Sequence, residues 1–179
     1  MAKITVGGSD PSLTSFGMCK GVFDTDTLLL TITDVLLVET EPKSTKSVRT
    51  NSHDVLRSKK LYQGMSTFFY DCTYVAAEIP VGSQSANGMK SYGVCCALLS
   101  TLPMPLIQVT AKDVKSSSGN PRASKAEMIA WAATKYPHLA WPSSSTGRYL
   151  KKCEHIADAI GALEASMRSD EFKLITNTR

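Results

Sequence analysis

Short apolar runs dominate the first part of the chain, and helical spacing of apolar residues dominates the later part. Val6 leads a run that stops at Asp10-Pro11, which predicts a first strand whose ladder is broken by a residue lacking an N–H. Gly17 starts the return, Phe16 to Phe23 alternates as a second strand, and Leu28 to Val38 is β-branched and apolar, as a third strand requires. Asp24-Thr25-Asp26 reads as the hairpin turn between these two. The stretch from Glu41 to Ser52 is polar, basic and rich in Ser and Thr without apolar period, which predicts a mobile loop.

From His53 the spacing becomes helical, with Val55, Tyr62, Met65, Phe69 and Cys72 expected on one buried face. Tyr74 to Pro80 is a short apolar strand carrying a single charge, Glu78. Val81 to Gly88 is loop, Met89 to Thr101 a small, apolar helix, and Leu106 to Val109 a brief strand. A polar, basic, Gly-containing segment, Lys112 to Arg122, precedes Ser124-Lys125-Ala126-Glu127, whose spacing is that of a capping box opening a helix through Lys135. Tyr136 to Gly147 is loop, Leu150 to Arg168 a last helix, and a short polar tail follows. Three strands followed by alternating helices and strands predict an α/β protein. Its five-stranded mixed sheet begins as an antiparallel meander, continues through right-handed parallel crossovers, and is covered by helices on both faces.

Composition adds little to the fold but narrows the class. A length of 179 residues suits one domain, 1–179, large enough to bury a core without staples. The five cysteines are odd in number, fit no CxxC or CxxH spacing and mostly lie in apolar runs, as expected of free thiols in a reducing cytoplasm. No apolar run is long enough to span a bilayer and the N-terminus lacks a signal pattern, so no membrane association is expected.

Charge changes the picture more. The formal excess is only +4, but the basic residues are grouped: Lys43, Lys46 and Arg49; Arg57, Lys59 and Lys60; Lys112, Lys115, Arg122 and Lys125; Arg148, Lys151 and Lys152. Clusters of this kind beside acidic residues point to a polyanionic partner.

The acidic residues supply candidate chemistry. Asp10 at a strand end is either a metal ligand or the cap of a turn. Glu78, a carboxylate at the end of an apolar strand, costs several kcal/mol if desolvated and unpaired, so a cation is expected beside it or the strand ends in water. His155 and Asp158 lie three apart on one face of the last helix, amid Ile156, Ala157, Ala159 and Ile160. Glu154 borders the same face, either as a ligand in place of His155 or as a partner for Lys151. Gathered together, three carboxylates and an imidazole need divalent cations to offset their repulsion, and oxygen-rich sites suit Mg²⁺ or Mn²⁺. Two such ions about 3.5–4 Å apart activate water and stabilise the leaving oxygen of a phosphodiester.

Asp10-Pro11-Ser12 with Phe16-Gly17, Ala77-Glu78, a Gly93-bearing helix, Val114-Lys115 with Gly119, Ala123-x-Lys125 and His155-Ile156-Ala157-Asp158-Ala159 fall in one order. In that order and spacing the chain resembles the RuvC family of Holliday junction resolvases, as a divergent member. The resemblance covers nearly the whole chain. It implies a ribonuclease H-like fold, a homodimer, binding of branched DNA and above all four-way junctions, and paired nicks made with two Mg²⁺ ions in the cytoplasm of a bacterial cell or phage-infected host. It also implies Asp10, Glu78, His155 and Asp158 as the metal-binding catalytic set. Lys115 and Lys125 are implied beside junction phosphates; Lys112, Arg122 and Lys151, from the basic clusters, are expected as further DNA contacts. The helices beginning near His53 and Met89 are implied as the dimer interface. Many relatives carry an aromatic residue where this chain has Val81, so junction opening or sequence preference is expected to differ.

His155 is left with two roles, ligand or proton donor. Other functions compatible with the pattern are a non-catalytic branched-DNA-binding module and a ribonuclease H-like nuclease of broader substrate range. A nucleotide-binding enzyme of the actin-like and sugar-kinase group needs further Gly-rich phosphate loops and a second similar domain, which this chain lacks.

Overall fold

The computed structural model describes residues 3–41, 49–79 and 82–177. Its centre is a five-stranded sheet in the order β3-β2-β1-β4-β5. β1 (Lys3–Asp10), β2 (Ser15–Asp24) and β3 (Leu29–Glu39) form the expected antiparallel meander, and β4 (Tyr74–Glu78) and β5 (Leu106–Val109) add in parallel on the other side of β1. The β2–β3 turn is held by Asp24, whose Oδ1 accepts from the N–H groups of Asp26 and Thr27.

The pleat sorts side chains into two cores. Val6, Tyr74 and Ala76 join Ile156, Ile160 and Leu163 of α5 (Cys153–Ser166), and α4 (Lys125–Lys135) contributes Met128 and Ala132. On the opposite face Phe16, Met18, Val75 and Ala77 pack with Leu61, Met65 and Phe69 from α1 (Thr50–Phe68) and its C-terminus, and with Leu98 and Leu99 of α2 (Ala86–Leu99). Fully buried side chains such as Phe16, Tyr74 and Ile160 each contribute about 1.5–3 kcal/mol of transfer free energy.

Several expectations are corrected. Helix α1 begins at Thr50, inside the stretch expected as loop, while residues 42–48 of that stretch, with Lys43 and Lys46, lie outside the described residues. Its buried face is Arg57, Leu61 and Met65; Val55 and Tyr62, expected inside, are exposed. The reason is Arg57, which is buried because its guanidinium donates to the Leu13 carbonyl, Thr40 Oγ1 and Asp54, and this turns the helix away from the all-apolar stripe.

Within the expected basic segment lies a short helix, α3 (Ala111–Ser116), opened by a capping box between Thr110 and Asp113. The expected polar tail holds α6 (Asp170–Thr176), capped by the Ser169 side chain and anchored by Phe172, whose ring packs edge-on against Phe23 and Tyr74. Helix α2 starts at Ala86 rather than Met89, because Ser85 accepts from the Gly88 N–H. Among the described residues no helix is long and apolar enough to cross a membrane.

Candidate active site

The carboxyl ends of β1 and β4 meet side by side. Ser9 pairs with Ala77 in the parallel ladder, so the next residues, Asp10 and Glu78, end adjacent strands, about 4.8 Å apart in the sheet. Both follow the alternation that directs Val6, Tyr74 and Ala76 toward α5. Pro11 ends β1 by removing the next ladder donor, and Asp10 faces Gly17 across the antiparallel pair.

Two glycines let α5 descend onto this edge. A Cβ on Gly17 would lie 2.1 Å from the His155 carbonyl oxygen, and one on Gly8 would lie 2.2 Å from that of Ala159. With hydrogen in both places, the first turns of α5 rest on the backbone of β1 and β2. His155 then reaches Asp10: its Nδ1 stands 2.6 Å from Asp10 Oδ2, with the ring donating. This leaves Nε2 as the ring atom turned to other partners, of which Glu154 Oε1 is 3.7 Å away.

The acidic groups feel one another. Burial first, then the charges of Asp10 and Glu78, push the Asp158 carboxyl up to about 7, against the opposing pull of His155. Burial and the Asp10 charge also raise Glu78, with Lys115 on α3 partly offsetting them. For His155, burial opposes the imidazolium, but the Asp10 hydrogen bond and the charges of Asp10, Glu154 and Asp158 together hold its pKa above the usual imidazole value.

Asp10, Glu78, His155 and Asp158 are thus brought into one electrostatic cluster. Among the described residues, no three His, Cys, Asp or Glu side chains are set to clasp a single ion as they stand. The set nonetheless fits divalent cations in its chemistry: it is rich in oxygen, and its carboxyls resist ionising together, a repulsion that cations relieve.

The basic residues divide. Lys115 is half-buried near Glu78, and Lys125 at the start of α4 bonds Glu154 Oε1 at 2.8 Å. Glu154 is therefore the partner of Lys125, not of Lys151. That hydrogen bond, together with the Glu154, Asp158 and Asp10 charges, raises the Lys125 pKa. Lys112, Arg122 and Lys151 are exposed on α3, between α3 and α4, and in the turn before α5. Val81 lies outside the described residues.

Sequence reasoning missed the steric part of Gly8 and Gly17, although a glycine inside a strand pattern is the usual sign of close backbone approach. It also placed Arg57 in a surface cluster; the Asp54–Arg57 spacing on a helix was the available signal for a local ion pair.

The sheet order, the strand directions and helices on both faces define a ribonuclease H-like fold. Thermus thermophilus RuvC is similar over 98% of this chain and 98% of that chain, with a TM-score of 0.60 and 17% identity. T. thermophilus RuvC in complex with a Holliday junction substrate is similar over 90% and 92%, with a TM-score of 0.61 and 16% identity. Fowlpox virus resolvase, in complex with substrate Holliday junction DNA, is similar over 92% and 97%, with a TM-score of 0.56 and 10% identity. At these identities the likeness is one of fold. No protein-family model matches the chain, and no curated protein matches it in sequence.

Proposed function

We propose that the chain is a structure-specific DNA endonuclease that hydrolyses phosphodiesters in branched DNA, four-way junctions foremost, in the manner of the resolvases it resembles. The observation that carries this reading is the pairing of Asp10 and Glu78 at the ends of adjacent parallel strands beneath His155 and Asp158.

Asp10, Glu78 and Asp158, with His155 or Glu154, would hold two Mg²⁺ or Mn²⁺ ions, which when bound supply an activated water and charge stabilisation at the scissile phosphate. The chain's own groups do the rest. Asp10 fixes the His155 ring through Nδ1 and leaves Nε2 for an ion or for a proton at a substrate oxygen. Lys115 and Lys125 border the carboxylates and offer cations to the phosphates flanking the cut. Lys112, Arg122 and Lys151 extend this basic surface outward, where contacts with the DNA backbone are independent of sequence.

Paired nicks call for two such sites, hence a homodimer. Exposed Val55 and Tyr62 on α1 and Met89 on α2 are apolar surface that a second copy would cover.

The test compares a four-way junction, a Y-fork and linear duplex with Mg²⁺. The junction is expected to be nicked preferentially, and the Asp10→Asn variant to bind it without cutting. Equal cutting of all three substrates removes the resolvase reading and leaves a broader nuclease. Undiminished cutting by the variant removes Asp10 from the mechanism.

A further inference from the structure

All five strands present their Asp10 end to the same side of the sheet: β1, β3, β4 and β5 finish there and β2 begins there. Along that edge β5 leads to α3 and Lys115, β4 and β1 supply Glu78 and Asp10, and β2 and β3 supply Ser15 and Glu39. The four inter-strand steps from β3 to β5 span about 19 Å.

Beside the β2–β3 end lies an open groove of about 830 Å³, bordered by Thr14, Ser15, Glu39, Arg57, Lys60 and Lys152. Thr14 closes the turn that follows Asp10, Ser15 opens β2, and Lys152 immediately precedes α5, one turn before His155. The groove and the carboxylates are therefore consecutive stations on one sheet edge.

Arg57 is committed to the floor, where it holds the Leu13 carbonyl and Thr40 Oγ1 at 3.1 and 3.0 Å. Lys60 and Lys152 are different. Lys60 Nζ donates only to a backbone oxygen, that of Glu39, in its described bonds, and its side chain is exposed. Lys152 pairs with Glu39 Oε2 at 2.7 Å, but the two side chains are 35% and 47% exposed, so the pair is cheap to exchange for another anion. Thr14 and Ser15 add hydroxyl donors. Glu39 and Glu41 border the same space and set the sign of a test.

Resting on the branched-DNA reading of the carboxylate site, we infer that this groove is a second backbone-binding station. It holds phosphodiesters of the DNA strand through Lys60 and Lys152, on the far side of the carboxylates from Lys115. A strand laid along the edge is then gripped on both sides of the scissile position. At about 830 Å³ the groove is far larger than a lone phosphate, and its continuity with the turn after Asp10 favours a polymer.

The test measures binding of a labelled four-way junction in EDTA, between about 50 and 200 mM salt, where each phosphate contact contributes about 0.9 to the slope of log K against log salt. Replacing both lysines (Lys60→Ala with Lys152→Ala) is expected to lower the slope by about 1.8, whereas Lys59→Ala, exposed on α1 outside the groove lining, keeps it. Glu39→Gln removes the competing carboxylate and is expected to tighten binding about twofold to fivefold, a gain that loss of structure does not produce. An unchanged slope in the double variant, or unchanged or weaker binding by Glu39→Gln, overturns the groove assignment while wild-type nicking leaves the nuclease reading intact. A wild-type chain that neither prefers nor cuts branched DNA overturns that reading instead.

Discussion

Asp158 keeps its proton up to about pH 7 because it is half-buried beside Asp10 and Glu78, and this has a consequence for stability. Its folded-state pKa lies above the ordinary value of 3.8, so the folded chain binds more protons than the unfolded one between those two values. The sign follows: without metal, stability falls as pH rises from about 4 toward 7 and stays lowered beyond. Asp158→Asn is expected to melt with the wild type on the acid side of this window and above it on the alkaline side, in thermal denaturation with EDTA. Adding Mg²⁺ at alkaline pH should raise the wild-type midpoint more than that of the variant, because bound cations stabilise the state that holds them. Equal midpoints at every pH would show that Asp158 carries no such strain.

Single residues also mark where the sequence could be read and where it could not. Glu78 was legible because a charge in Tyr-Val-Ala-Ala-Glu-Ile-Pro has no local partner, and His155 and Asp158 because polar groups interrupt a small, apolar helix. Arg57 was opaque. Its partners Leu13 and Thr40 are distant in sequence, and the nearby Asp54 signals an ion pair at helical spacing but not that Arg57 is buried while its neighbours Lys59 and Lys60 are exposed.

Among the elements, α5 governs the site through its contact with β2. Gly17→Ala sets a new methyl group against the backbone of His155, which cannot rotate away, so the helix start must shift. We expect a loss of about 1–3 kcal/mol in urea denaturation together with a disproportionate loss of nicking, since His155 moves off Asp10. Gly93→Ala in α2 is the contrast: nothing stands within 4 Å of the added Cβ, and the variant should gain about 0.5–1 kcal/mol. Helix α4 was legible from its capping box, whereas α3 and α6 are too short to display a period and depend on their caps, Thr110 and Ser169.

For the whole molecule, the α/β class followed from strands giving way to alternating helices, and the mixed sheet with helices on both faces is what is observed. The groove at the β2–β3 end could not be anticipated. Its walls come from four separate segments, around Thr14, Glu39, Lys60 and Lys152, and although the last two belong to basic clusters visible in the sequence, nothing in the sequence brings the four together.

The strand order also sets a timetable. β1, β2 and β3 are joined by short connections and form a local hairpin system, but β1 pairs with β4 only when Val6 finds Tyr74, across the whole of α1. Closing that longer loop is the entropically expensive event, so it is expected after the meander. Asp10 and Glu78 stand on opposite sides of this seam. Pulsed hydrogen exchange during refolding should show β2–β3 amides protected before those of β4, with nicking returning no earlier than β4 protection. A chain still folding would then hold Asp10 at its strand end with Glu78 not yet beside it, and the site would be incomplete.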